Sequence, residues 1–372
     1  MQRPAPEIDG VPLAPPAPGR NLPPAAFTSR ALSELEERAI FARSWLHVAD
    51  LIDLPGPGSY VATAIGRTPV LVIRDRKSGE LRGFLNACRH RGAQLLEGSG
   101  TCERQIKCPY HAWSYGTDGA LIGVPYRDEF TCDLSDMNLL PVRIGTVGPL
   151  VFACLDPAAP PLEDWVGALP AAMKAAGSDS WQLAWQLEYQ VNANWKLFVE
   201  NANDGYHIPF VHDVLTDVLV PGSGVTTLEP HSAYSWAQVN PAYVPPGNDP
   251  AEARVRFGCV FPNLIPVLSP SDITYIRVDP VGHDRLKLFV RSYDSPDFAM
   301  VRDFRKAAFQ RTTDQDIQVV ERTWRGLHAI GLPAGVHACQ LEERIGHFER
   351  MWAEAMANEA APVRSRFLAV AP

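Results

Sequence analysis

"CRHRGAQLLEGSGTCERQIKCPYHAW", residues 88–113, decides the reading of this chain. Cys88 stands two positions before His90, Cys108 stands three before His111, and Cys102 lies between the pairs. Alternate side chains of an extended loop share a face, so Cys-x-His aims both ligand atoms to one side. Two soft thiolates and two imidazoles in this rhythm suit a metal. A structural zinc held by two cysteines and two histidines is the rival reading. Zinc fingers, however, pair cysteine with nearby cysteine and histidine with nearby histidine. Here each loop offers one of each, a division suited to two irons that each draw one ligand from each loop. The remaining thiols, Cys102, Cys132, Cys154, Cys259 and Cys339, read as reduced and partly buried.

Working outward, the 372 residues suffice for two domains, with 46% hydrophobic and 20% charged residues as in an ordinary globular protein. A formal net charge of −8 argues against a nucleic-acid or anionic-membrane binder, which needs a basic field. No run approaches the roughly 18 apolar residues of a membrane span. The N-terminus lacks a signal-peptide core, so a cytoplasmic protein is expected. Residues 1–24 read as a mobile arm, too proline-rich to pack. Residues 25–46 hold a helix around Ser33 to Trp45 that packs on the C-terminal domain, with Ser33 and Glu36 spaced as a capping box. Short β-branched runs such as "SYVATAI" and "PVLVIRD" mark residues 47–160 as a β-rich metal domain. The proline-rich break "DPAAPPLEDW" ends it, and residues 161–372 follow as an α+β domain. Helices are expected at Phe304 to Leu327 and from Gln340 to about Met356.

A second group of metal-binding types lies in "NWKLFVENANDGYHIPFVHD", with Asp204, His207 and His212. Two histidines five apart do not share a helical face, which needs three or four. Pro209 between them clashes with the carbonyl of Gly205, so the helix is expected to kink and bring both imidazoles together. Two histidines and a carboxylate form the facial triad of non-haem Fe(II) oxygenases. "TTDQDIQVVERTWRGL" offers Asp314, Asp316 and Glu321 as the carboxylate.

Cys88-Arg89-His90-Arg91-Gly92 and Cys108-Pro109-Tyr110-His111-Ala112-Trp113, with seventeen residues between His90 and Cys108, resemble the Rieske [2Fe–2S] motif. The resemblance implies that Cys88 and Cys108 bind one iron and His90 and His111 the other. Histidine in place of two thiolates raises the reduction potential. The respiratory type carries an extra cysteine in each loop, where this chain has Ala93 and Tyr110. Asn194-Trp195-Lys196, Glu200-Asn201, Asp204, Tyr206-His207, His212 and Phe261-Pro262-Asn263 resemble the catalytic signature of Rieske non-haem iron oxygenase α subunits. That resemblance implies an α+β fold: an all-β Rieske domain, then a mononuclear-iron domain with an antiparallel sheet flanked by helices, of helix-grip type. It implies His207, His212 and Asp316 as iron ligands, with Asp314 as fallback. Asp204, three before His207 and so on the same helical side, is placed to hold that imidazole's free N–H; the resemblance further implies that it reaches His111 of the partner subunit, in a head-to-tail trimer. Ala202, Gln315 and Trp324 depart from the family's usual residues.

The function expected is that of a terminal oxygenase. An NAD(P)H-dependent reductase, with or without a ferredoxin, supplies electrons to the [2Fe–2S] cluster. The mononuclear Fe(II) then activates O₂ toward a small organic substrate, an aromatic ring for preference. Oxidative N- or O-demethylation of a methylated or quaternary-ammonium compound is the alternative, and a small β subunit is compatible with either. A bare electron carrier explains only the first site, leaving His207, His212 and Asp316 without a role. Pocket walls are expected from Asn201, Phe210, Val211 and the 230–265 segment, with Trp236, Tyr243 and Phe257 as aromatic surfaces.

Overall fold

The computed structural model describes residues 6–360 except 214, 221–222, 245–248 and 271. Its contacts divide the chain into two units: residues 41–162, and residues up to 40 together with those from 163 onward.

The first unit is built of antiparallel strands. Its seven-stranded sheet runs, in spatial order, Leu46–Asp50, Leu150–Cys154, Pro141–Val147, Leu81–Leu85, Thr68–Arg74, Ser59–Ile65 and Ser99–Thr101. The β-branched runs seen in the sequence pair directly, with Tyr60 opposite Ile73 and Ile65 opposite Thr68. Val70, Leu71, Val72 and Ile73 are fully buried. A second sheet of three short strands, Leu121–Gly123, Ser114–Tyr115 and Ile106–Lys107, lies beside the loop that carries Cys108 and His111. Cys88 and Cys108 belong to the same apolar core as Leu71, Phe84, Trp113 and Tyr115. The loops are thus anchored by their cysteines.

The second unit holds a seven-stranded antiparallel sheet. Its order is Gln182–Val191, Leu286–Asp294, Asp272–Pro280, Leu264–Ser269, Arg254–Val260, Ser232–Gln238 and Val225–Glu229. Four helices matter for the site and its support: α1 (Arg30–Ala39), α2 (Trp195–Asn203), α3 (Arg302–Gly326) and α4 (Glu343–Ala360). An all-β domain followed by an α+β domain is the architecture observed.

Three expectations need correction. The stretch 6–24 does not lie unpacked, and residues 1–5 lie outside the described residues. Glu7–Ile8 pairs with Val11–Pro12 across Asp9 (φ 51°) and Gly10 (φ 77°), the two positive-φ residues of a tight hairpin. Val11, Leu13 and Leu22 are buried, and the Leu22 amide donates to Glu349 Oε1 at 2.8 Å. Mean composition hid three well-placed apolar side chains. Second, the N-cap of α1 is Ser29, whose hydroxyl accepts from the Leu32 amide at 3.1 Å. Ser33 lies inside the helix and caps nothing, because a cap needs the extended backbone that Ser29 adopts (ψ 123°). Third, α1 ends at Ala39 and Phe41–Arg43 forms a separate 3₁₀ turn.

Glu36, expected at the helix start, sits instead on the buried face of α1 with Leu32, Leu35 and Ala39. Its carboxylate accepts from Trp195 Nε1 (2.8 Å), Lys196 Nζ (2.5 Å) and Trp352 Nε1 (2.7 Å). Three donors from α2 and α4 on one anion satisfy a charge that would otherwise be prohibitive to bury.

Candidate metal centres

The two loops of the first unit share one backbone design. In each, the residue four after the cysteine returns its amide to the cysteine carbonyl: Gly92 to Cys88 at 2.8 Å and Ala112 to Cys108 at 3.1 Å. In each, the cysteine amide donates five residues ahead, to Ala93 and to Trp113, both at 2.8 Å. Closing so tight a loop requires a left-handed residue, Gly92 at φ 73° and Ala112 at φ 59°. Ala112 pays about 1–2 kcal/mol for that conformation, so the rest of the loop must over-determine it.

The loops bring all four sequence-predicted side chains to one end of the unit. Cys88 and Cys108 are each 3% exposed, while His111 is exposed. The rings of His90 and His111 are 4.7 Å apart, His90 stacks on Trp113 at 5.0 Å, and Tyr110 stacks on His111 at 3.7 Å. Two observations test whether an iron–sulfur group fits. His90 Nδ1 is buried and has no hydrogen-bond partner among the described residues, as a metal-facing nitrogen would be. Burial, with the neighbouring Cys108 adding to it, pushes the Cys88 thiol above its ordinary range. A bound cation would offset that cost and favour the thiolate. The donor set therefore fits.

Sequence reasoning missed Tyr115. Its hydroxyl accepts from the Arg89 amide at 3.1 Å, which leaves its proton free for Cys88 Sγ at 3.3 Å. The only signal was a tyrosine seven residues after Cys108.

In the second unit, α2 is capped by Asn194, whose side chain accepts from the Lys196 amide, and it stops at Asn203. The break therefore precedes Pro209 and is not a kink at it. Asp204 is extended (ψ 119°), and Pro209 stands in the first turn of a new short helix, Ile208–Val211, where a missing N–H does no harm. Asp204 is consequently not on the same helical side as His207. It organises the bend instead: Oδ1 accepts from the Tyr206 amide at 2.5 Å, and Oδ2 lies 3.1 Å from His207 Nδ1, off the ring's N–H direction.

The bend and α3 place three ligand atoms together. His207 Nε2 and His212 Nε2 are 3.0 Å apart, and Asp316 Oδ1 lies 3.4 and 3.1 Å from them. Ligands about 2.1 Å from a shared ion and at right angles to one another stand about 3 Å apart, so the trio matches a facial triad. Asp316 is held by Asn201 Nδ2 at 2.7 Å, and His212 Nδ1 faces Gln315 Oε1 at 3.1 Å. Neither role was anticipated for Asn201 or Gln315. Electrostatics agree that a cation belongs here. Desolvation opposes charge on His207, yet Asp204 and Asp316 outweigh it and push its pKa up to about 9. Burial likewise raises Asp316, but the two histidines and Asn201 bring it below the usual carboxylate range. Asp314 is exposed and lies toward Tyr189, and Glu321 accepts from Asn192, so neither joins the trio.

The aromatic walls divide. Trp236 pairs across strands with Arg256 and carries the Arg254 guanidinium 4.4 Å over its ring. Tyr234, on the same sheet face, donates to the Val166 carbonyl at 2.5 Å. Phe257 and Cys259 alternate onto the opposite face, where Cys259 meets Asn203 of α2. Phe257, not Trp236, faces the side of the sheet that carries the ligands.

Comparison with known proteins agrees with this geometry. Residues 44–141 match the Rieske [2Fe–2S] domain, and residues 178–358 match the ring hydroxylating alpha subunit catalytic domain. The glycine betaine monooxygenase oxygenase subunit of Pseudomonas aeruginosa is 31% identical over 206 residues, covering 55% of this chain and 48% of that protein. The match thus spans about half the length of that relative. Chloroplastic choline monooxygenase of Spinacia oleracea is 27% identical over 348 residues, 91% of this chain and 78% of that protein. A solved quaternary ammonium Rieske monooxygenase superposes with a TM-score of 0.79 at 24% identity, over 91% of this chain and 95% of that one, and so shares the fold. With both domains present in tandem and in family order, the chain belongs to the Rieske non-haem iron oxygenase α subunits.

Proposed function

We propose that this protein is the terminal oxygenase of a multicomponent system that oxidises a small quaternary-ammonium compound at an N-methyl group. The observation that carries the oxygenase reading is the convergence of His207 Nε2, His212 Nε2 and Asp316 Oδ1 on one point. A ferrous ion held there supplies O₂ activation. Cys88, Cys108, His90 and His111 hold the [2Fe–2S] group that receives electrons from a separate NAD(P)H-dependent reductase. Asn201 steers the Asp316 carboxylate toward the histidines. Asp204 stands beside His207, and in a homotrimer the same carboxylate would serve as the bridge to His111 of the partner subunit.

Ring hydroxylation, the reading preferred from sequence alone, keeps the support of the catalytic-domain family. The glycine betaine and choline monooxygenases among its relatives favour a quaternary-ammonium substrate. A panel of quaternary amines and simple aromatics, run with a surrogate reductase, separates them. N-demethylation of a quaternary amine consumes O₂, two electrons and two protons and yields formaldehyde, water and the demethylated amine in its protonated form. Formaldehyde matched to O₂ uptake with a quaternary amine is the expected result. Diol or phenol from an aromatic, without formaldehyde from any amine, overturns the quaternary-ammonium reading.

A further inference from the structure

Chemically different groups stand behind the two imidazoles of the trio. His207 Nδ1 faces the Asp204 carboxylate, whereas His212 Nδ1 faces the amide oxygen of Gln315, each at 3.1 Å. An amide oxygen only accepts, so His212 carries its proton on Nδ1 and presents the Nε2 lone pair toward His207 and Asp316. The Gln315 side chain also lies beside Asp213, the carboxylate that Arg311 pairs with. Arg311, Asp213, Gln315 and His212 therefore form one row. Gln315 precedes Asp316 and Asp213 follows His212, so the amide ties together the two chain segments that supply ligands. His212 is 3% exposed, which shields this bond from competing water.

The bland alternative is a solvated glutamine on the surface of α3. A buried imidazole against its amide oxygen opposes that reading.

We propose that Gln315 is a positioning residue for the mononuclear metal. Its amide holds His212 in the Nδ1–H tautomer and, being neutral, leaves that imidazole a weaker donor than His207, which has a carboxylate behind it. This rests on the reading that His207, His212 and Asp316 hold the metal. The test is Co²⁺ binding to the full chain with its cluster loaded and its mononuclear site stripped, followed by the visible d–d bands of the bound ion. Gln315→Leu should weaken binding by about 10- to 100-fold, with the cluster absorption unchanged. Combining Gln315→Glu with Asp213→Asn exchanges the amide and the carboxylate, and should restore binding to wild-type strength or better. Unchanged Co²⁺ affinity in Gln315→Leu overturns the proposal. So does a loss that the exchange fails to restore, because packing alone then explains it. Asp316→Ala separates the two readings: if it binds Co²⁺ as tightly as wild type, the ligand assignment itself fails.

Discussion

The two metal regions are built by opposite strategies. The four side chains of the first come from two loops within 26 residues and one repeated backbone design, Cys88 to Ala93 and Cys108 to Trp113. The three of the second come from a bend after α2 and from a helix more than a hundred residues later, joined by Asn201 to Asp316 and Gln315 to His212. The first is a matter of local hydrogen bonds closing small loops. The second exists only when α2 and α3 are packed together, so its geometry depends on the whole domain.

Substitutions can break or sharpen this contrast. The largest effect is expected from Asp316→Ala, which should abolish product formation while the visible spectrum of the cluster stays intact; a variant that still turns over would remove Asp316 from the ligand set. Asp204→Ala should keep both metals but slow electron transfer by about 10- to 100-fold. Rapid single turnover of a pre-reduced sample at the wild-type rate would deny Asp204 that role. Glu36→Ala strands Lys196 and two indole N–H groups in the core. It should cost about 3–5 kcal/mol in denaturant unfolding of the catalytic unit, with the reduced-cluster EPR signal surviving at denaturant concentrations that abolish metal binding by the trio. Loss of both signals at one midpoint would show that the two regions are not independent.

The smallest effect belongs to Tyr115→Phe. The hydroxyl stabilises negative charge on the Cys88 sulfur, more so after the cluster gains an electron. Deleting a bond of about 1 kcal/mol should lower the potential by roughly 40 mV for a one-electron couple. An unchanged midpoint in a redox titration would mean that the Tyr115 proton points elsewhere.

Much was legible because it is local. Cysteine and histidine spacing marked the first site, and β-branched runs marked the strands around it. Pro209 suggested a kink between His207 and His212, whereas the chain bends before it, at Asp204. What failed to show did so for identifiable reasons. The hairpin at Asp9-Gly10 was present in "EIDGVP", but the density of prolines around it suggested an unpacked arm. Ser33 has the residue type and spacing of a cap, and only backbone conformation reveals that Ser29 fills the place. Trp236 and Phe257 are equally aromatic; cross-strand register puts them on opposite faces of the sheet. Gln315 stood out as a departure from the family's usual residue and became interpretable only with His212 and Asp213 beside it.

By itself the sequence determined which side chains can bind metal and which loops can close around it, since both depend on chemistry within a few residues. Only the tertiary structure decided that Asp316 and not Asp314 meets the histidines, and that an amide stands behind one imidazole and a carboxylate behind the other. Those choices turn on the rotation and packing of α3 against α2. A helix of 25 residues presents every side of itself in sequence, and only burial against its neighbours selects one.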